Sequence, residues 1–254
     1  MSSFTVRITD AAGTAATRAL SIVIGLPPLP PVVISGLPQT LPPGTQTNVT
    51  IQLAAPFPGT VTGTLTLVFE PNAVNNADDP AVQFSSGGRT VTFTIPAGQT
   101  AGVFPVTPLR ISSGTVAGTI RIRTATAPES STPVPESTVP IARSLPVITA
   151  GTAQIGTGTF TLQIDGYSNT REISAATFRL TAAAGAPLVT TDVPVAVGAA
   201  FTAWYQIAAA AAFGGQFRLV LPFTVTGSLT DIESVTVTVT NGVGTSQPII
   251  VRLR

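Results

Sequence analysis

The chain has 254 residues, 44% hydrophobic and only 9% charged, with 12 Lys plus Arg against 11 Asp plus Glu and a formal net charge of +1. Every basic residue is Arg: Lys, His and Cys are absent, which removes imidazole bases, thiolates, disulfides, Schiff-base amines and the commonest metal ligand. Single, scattered Arg residues leave no electrostatic footprint for nucleic acid, and no run approaches the ~18 apolar residues of a membrane span.

The Thr, Val, Ile and Phe content, punctuated by 23 Gly and 23 Pro, favours strands and turns over helices. This length suits about two β domains of about 100 residues each. Residues 1–25 lack the charged, apolar and cleavage regions of a secretory signal. Met1, the sole Met, reads as the start of an expressed fragment whose export signal would lie upstream.

Residues 4–9 and 17–24 alternate apolar and polar, with Phe4, Val6 and Ile8 on one face and Leu20, Ile22 and Ile24 on the matching face. Asp10-Ala11-Ala12-Gly13 supplies the turn of a β-hairpin between them. A hairpin alone is marginal in water, so the apolar face demands cover. Packing against the next domain is expected ahead of pairing with a second molecule. Leu26-Pro27-Pro28-Leu29-Pro30-Pro31 reads as a stiff linker.

Strands are then expected near 32–35, 46–54, 61–69, 81–84, 90–95, 102–111, 115–125 and 138–142, at the spacing of a β-sandwich. A Pro/Ser/Glu-rich loop falls at 127–136. From Pro146 a second set follows at 147–149, 158–165, 173–181, 188–197, 217–225, 234–240 and 248–254. Phe201 to Phe213, with five consecutive Ala, breaks the pattern and reads as a short helix ended by Gly214-Gly215.

Phe4 to Gly13 with Ala16-Thr17-Arg18 resembles the closing hairpin of Ig-like domains repeated in large secreted bacterial proteins. Gly88 to Thr100 is similar to Calx-β-type and related Ig-like repeats, and Ser234 to Gly244 is similar to C-terminal domains of such surface proteins. The resemblance implies an extracellular or cell-surface array of β-sandwiches and carries no active site.

Oxygen-rich side chains crowd at Glu70, Asn72, Asn75, Asn76, Asp78 and Asp79, and Glu70, Asp78 and Asp79 are the candidate Ca²⁺ ligands, although Asn and Asp also simply favour turns. No other cofactor is expected. Trp204, Tyr205 and Tyr167 are all the Trp and Tyr in the chain and are the candidate sugar-stacking residues; the competing reading places Trp204 in the core. The carboxylate pairs Asp165/Glu172 and Asp231/Glu233 lie at turns and need no catalytic explanation.

These readings give an all-β protein of tandem antiparallel Ig-like β-sandwiches: a hairpin at 1–25, a Pro-rich linker at 26–31, and sandwiches at 32–144 and 147–254. The expected role is non-catalytic, as a stalk, spacer or adhesin-like module. The alternatives are a carbohydrate-binding module using Trp204 and Tyr205, or a filament subunit assembled by strand donation. Expected partners are protein or glycan surfaces, with self-association through residues 3–24; nucleic acid and membrane insertion are not expected.

Overall fold

The computed structural model describes residues 2–22, 25–129 and 136–253. The first element is the expected hairpin, β1 (Ser2–Thr9) and β2 (Ala15–Ile22), paired antiparallel with Phe4 opposite Leu20 and Ile8 opposite Ala16. Asp10 closes its turn by accepting from the N–H groups of Ala12 and Thr14 at 2.9 and 2.8 Å, while Gly13 takes φ +82°. The cover expected for it is missing. Every residue of β2 is exposed, and Phe4, Ile8 and Ile22 remain 45%, 71% and 53% accessible. The following domain fills its core with its own strands, so the hairpin face finds no complementary surface there. Ile24, assigned to that face from the sequence, lies outside the described residues.

The Pro-rich stretch is less free than a linker. Leu29 is buried in the first core and the Pro31 carbonyl accepts the N–H of Ala54. Its end therefore belongs to the first sandwich.

That sandwich is built from β3 (Val32–Ser35), β4 (Gln46–Asn48), β5 (Thr50–Leu53), β6 (Val61–Pro71), β7 (Thr90–Ile95), β8 (Arg110–Ser112), β9 (Gly118–Ala127) and β10 (Ser137–Ile141). One sheet has the order β10-β9-β6-β7, and the pairs β3-β5 and β4-β8 oppose it. Period two decides which side chains go inside: Val91, Phe93 and Ile95 are buried while Thr90, Thr92 and Thr94 face water. They join Leu65, Ile120, Ile122 and Val139 in one core with Ile51, Leu53 and Ile111 from the facing strands. Residues 81–84 make only a single bridge, Phe84 to Ile111, rather than a strand, because Asp79 Oδ1 accepts the N–H of Ala81 and holds the start of the run in a turn, although Val82 and Phe84 still point inward. Of the run expected at 102–111, which contains Pro105 and Pro108, only the end is β8; Val103 makes an isolated two-way bridge that covers the edge of β7.

The second sandwich comprises β11 (Val147–Gly156), β12 (Thr159–Tyr167), β13 (Ala175–Ala182), β14 (Asp192–Val195), β15 (Gln216–Thr224), β16 (Ile232–Thr240) and β17 (Ile249–Arg252). Its sheets run β11-β12-β15 and β14-β13-β16-β17, all antiparallel. Phe160 and Phe223 stack at 4.8 Å, and Phe178 from the opposite sheet meets Phe223 edge-on at 5.2 Å. Between β14 and β15 lies α1 (Gly198–Gln206), followed by a 3₁₀ segment, Ala208–Phe213. Phe201 and Tyr205, one turn apart, bury the inner face of α1. Three sheet edges carry an internal proline: Pro140 in β10, Pro194 in β14 and Pro222 in β15.

Phe178→Ala should cost about 3–5 kcal/mol in urea unfolding, because the residue is fully buried between the two sheets of its sandwich. Ile8→Ala, on the uncovered hairpin, should stay within about 0.5 kcal/mol in the same assay.

Candidate functional site

The densest polar constellation lies between the two sandwiches. The turn after β12 projects Ser168-Asn169-Thr170-Arg171 into the loops of the first sandwich. Arg171 is 3% exposed and sits at φ +54°, the left-handed region that side chains rarely adopt. Its Nε donates to the Gly214 carbonyl at 3.0 Å, Nη2 to the Asp78 carbonyl at 2.9 Å, and Nη1 to the carbonyls of Asn75 and Ala77. Burial pulls the guanidinium pKa down, opposed chiefly by the nearby Asp79 charge.

Neighbouring contacts extend this junction. Val74 and Ala117 donate backbone N–H groups to the carbonyls of Thr170 and Asn169, both at 2.9 Å. Asn169 Nδ2 donates to the Ala142 carbonyl and Asn241 Nδ2 to the Ser144 carbonyl. Asn75 Nδ2 reaches the Tyr205 carbonyl at 2.6 Å, and the Gly215 N–H donates to Thr115 Oγ1 at 2.8 Å. A Cβ on Gly215 would stand 2.6 Å from the carbonyl oxygens of both Ser168 and Thr115, so only glycine permits this approach.

The proposed Ca²⁺ ligands do not converge. Glu70 pairs with Arg121 at 2.8 Å and Asp78 with Arg89 at 2.8 Å. Asp79 is fully buried, and its carboxylate accepts from the N–H groups of Ala81 and Thr115 and lies near Thr115 Oγ1. Among the described residues no group of three His, Cys, Asp or Glu side chains is placed to hold a metal ion. The oxygens of the 72–79 loop instead surround a cation carried by the chain itself, the Arg171 guanidinium. Nothing in the sequence singles out Arg171, since a lone Arg beside a turn carries no signal of which carbonyls it will meet.

The three large aromatics separate. Tyr205 is 4% exposed, with its hydroxyl donating to the Gly215 carbonyl at 2.7 Å, so its ring presents no stacking face. Trp204 is neither a full core residue nor freely exposed. Its Nε1 donates to the Gln216 carbonyl at 3.2 Å, and its ring lies 6.0 Å from that of Phe213, which is 52% exposed. Tyr167 is half-buried on the outer side of β12. Of the carboxylate pairs, Asp165 is held by Arg218 at 2.7 Å and Gln163 at 3.2 Å, while Glu172 accepts the N–H of Gly242. The bond from Arg218 lowers the Asp165 pKa, so that carboxylate is ionised and oriented. Asp231 belongs to a 3₁₀ turn and Glu233 to β16. Asp165 and Glu172 are thus each engaged by partners of their own.

No known family model matches the chain, and no curated protein does. Solved structures similar to it include the chicken CNTN1 FN1–FN3 domains, at 11% identity and TM-score 0.24 over 98% of this chain and 77% of that one. The class 5 fimbriae chaperone CfaA is similar at 10% identity and TM-score 0.30, over 86% and 97%. A structure of Gaeumannomyces graminis manganese lipoxygenase with part of Komagataella pastoris zonadhesin is similar at 10% identity and TM-score 0.24, over 89% and 93%.

Burial raises the pKa of both tyrosines of the chain, Tyr205 the more strongly. The neutral form is the one favoured in the fold, so this contribution to stability is complete below the unfolded tyrosine value of about 10 and is lost as pH rises through the higher folded values. Absorbance at the tyrosinate band should therefore develop above pH 10 in the folded protein, with Tyr205 ionising last, and Tyr205→Phe should leave only the earlier of the two steps. Two ordinary tyrosine titrations would contradict the burial described.

Proposed function

We propose that the chain is a non-catalytic spacer or stalk module of an extracellular or cell-surface protein, two β-sandwiches held at a fixed mutual angle. The observation that carries this reading is the Arg171 junction. A guanidinium bonded to three carbonyls of the 72–79 loop and to Gly214 leaves little room for hinge motion, because any opening breaks several charge-assisted hydrogen bonds at once. The resemblance of residues 4–18 and 88–100 to Ig-like repeats of secreted bacterial proteins supports the extracellular placement. Among the described residues no helix is long and apolar enough to cross a membrane.

The absence of cysteine makes the test direct, since spin labels can be placed on Thr92→Cys and Thr181→Cys, both on exposed strand positions of different sandwiches. A single narrow distance distribution is expected. Arg171→Ala should broaden it and lower stability by about 3 kcal/mol or more. A broad distribution in the parent protein would remove the spacer reading.

The uncovered hairpin favours a second reading, a subunit that associates by donating β1 and β2 to a neighbour. In light scattering at micromolar concentration, that reading expects oligomers which disappear when residues 1–25 are deleted. Monomers in both cases leave the spacer reading alone.

A further inference from the structure

We infer that the outer face of the β11-β12-β15 sheet is a binding site for a neutral oligosaccharide, a role beyond that of a spacer. Along β12 the residues Phe160, Leu162 and Ile164 enter the core, while Gln163, Asp165 and Tyr167 alternate to the opposite side. The register places Val220, Arg218 and Gln216 of β15 directly across from them. Two depressions, of about 550 and 380 Å³, share Asp165, Gln216, Phe217 and Arg218 and so form one furrow. Trp204 and Phe213 wall one end; Tyr167 and Thr149 line the other. These volumes fall in the range of small-molecule sites.

Three features select the ligand class. Trp204 is tethered through its indole N–H to the Gln216 carbonyl, which fixes a half-exposed ring beside the exposed ring of Phe213. Such apolar faces match the C–H faces of pyranose rings. Next to them, Asp165 and Arg218 form a two-bond pair at 2.7 and 3.2 Å, with Gln163 holding the carboxylate as well. The pair offers oriented acceptors and donors to hydroxyl groups, yet its charges cancel, so the furrow has no net pull on an ionic ligand. Preorganisation by the pair also reduces the entropy lost on binding.

An extended peptide fits less well. The β15 edge already uses the Gln216 carbonyl for Trp204, and Pro222 has no N–H to offer an added strand.

The test is titration of the intact chain with cellohexaose, xylohexaose, maltohexaose and chitohexaose, read by calorimetry and by the fluorescence of its single Trp, with hexagalacturonate as the charged control. At least one neutral hexamer is expected to bind with a Kd of about 1 mM or tighter and to shift the Trp emission, and hexagalacturonate is not. Phe213→Ala and the double variant Asp165→Asn, Arg218→Gln should each weaken binding about tenfold while keeping the parent melting temperature. Neither alters the Arg171 junction, so the inter-sandwich distance should not change. The proposal is overturned if no neutral hexamer binds at about 10 mM, if hexagalacturonate binds more tightly, or if both variants bind like the parent.

Discussion

The arrangement of the molecule depends on a buried cation, Arg171, that among the described residues has no carboxylate in direct contact. Removing a guanidinium from water costs several kcal/mol unless its hydrogen-bonding capacity is met. Arg171 meets it with four main-chain carbonyls. The exchange is mutual: residues 75–78 lie outside any strand ladder, so their carbonyls lack sheet partners and would otherwise require water. Each side of the junction thus solvates the other. The unfavourable φ of Arg171, of order 1–3 kcal/mol, persists because these bonds over-determine it.

Several elements converge on this point. The turn 168–172 comes from β12, Thr115 and Ala117 precede or flank β9, and Gly214-Gly215 closes the 3₁₀ segment before β15. Tyr205 ties α1 to the same place through the Gly215 carbonyl, and Asn75 reaches back to the carbonyl of Tyr205. Thus α1, which looks like an interruption of the second sandwich, serves as a buttress of the junction. Its outer residue, Trp204, is left at the furrow rim as a consequence of its partner Tyr205 facing inward.

Sequence alternation showed the strands where a single face is buried. Thr90–Ile95 and Thr159–Tyr167 are such cases, since period two leaves little choice of face. It misjudged 81–84 and 102–111, where an aspartate side chain captures a backbone N–H and prolines interrupt the ladder while the apolar residues still turn inward. The polar site was hardly legible. Glu70, Asp78 and Asp79 are close in sequence, but the partners that claim them, Arg121, Arg89 and Thr115, lie on other segments. The cation to which the loop responds comes from about 95 residues further along the chain, a separation no local pattern encodes. The furrow is likewise a product of register, with Asp165 facing Arg218 only because β12 and β15 align at that pair.

The prolines at the sheet edges affect more than the local ladders. Pro140, Pro194 and Pro222 each interrupt the row of donors on a border strand, and Val103 bridges over the β7 border. Copies that meet at these borders find no continuous row of donors to zip together, which disfavours lateral pairing there. The hairpin lacks any such interruption. Strand pairing between copies is thereby directed away from β10, β14 and β15 and towards the borders without a proline, the hairpin and β11.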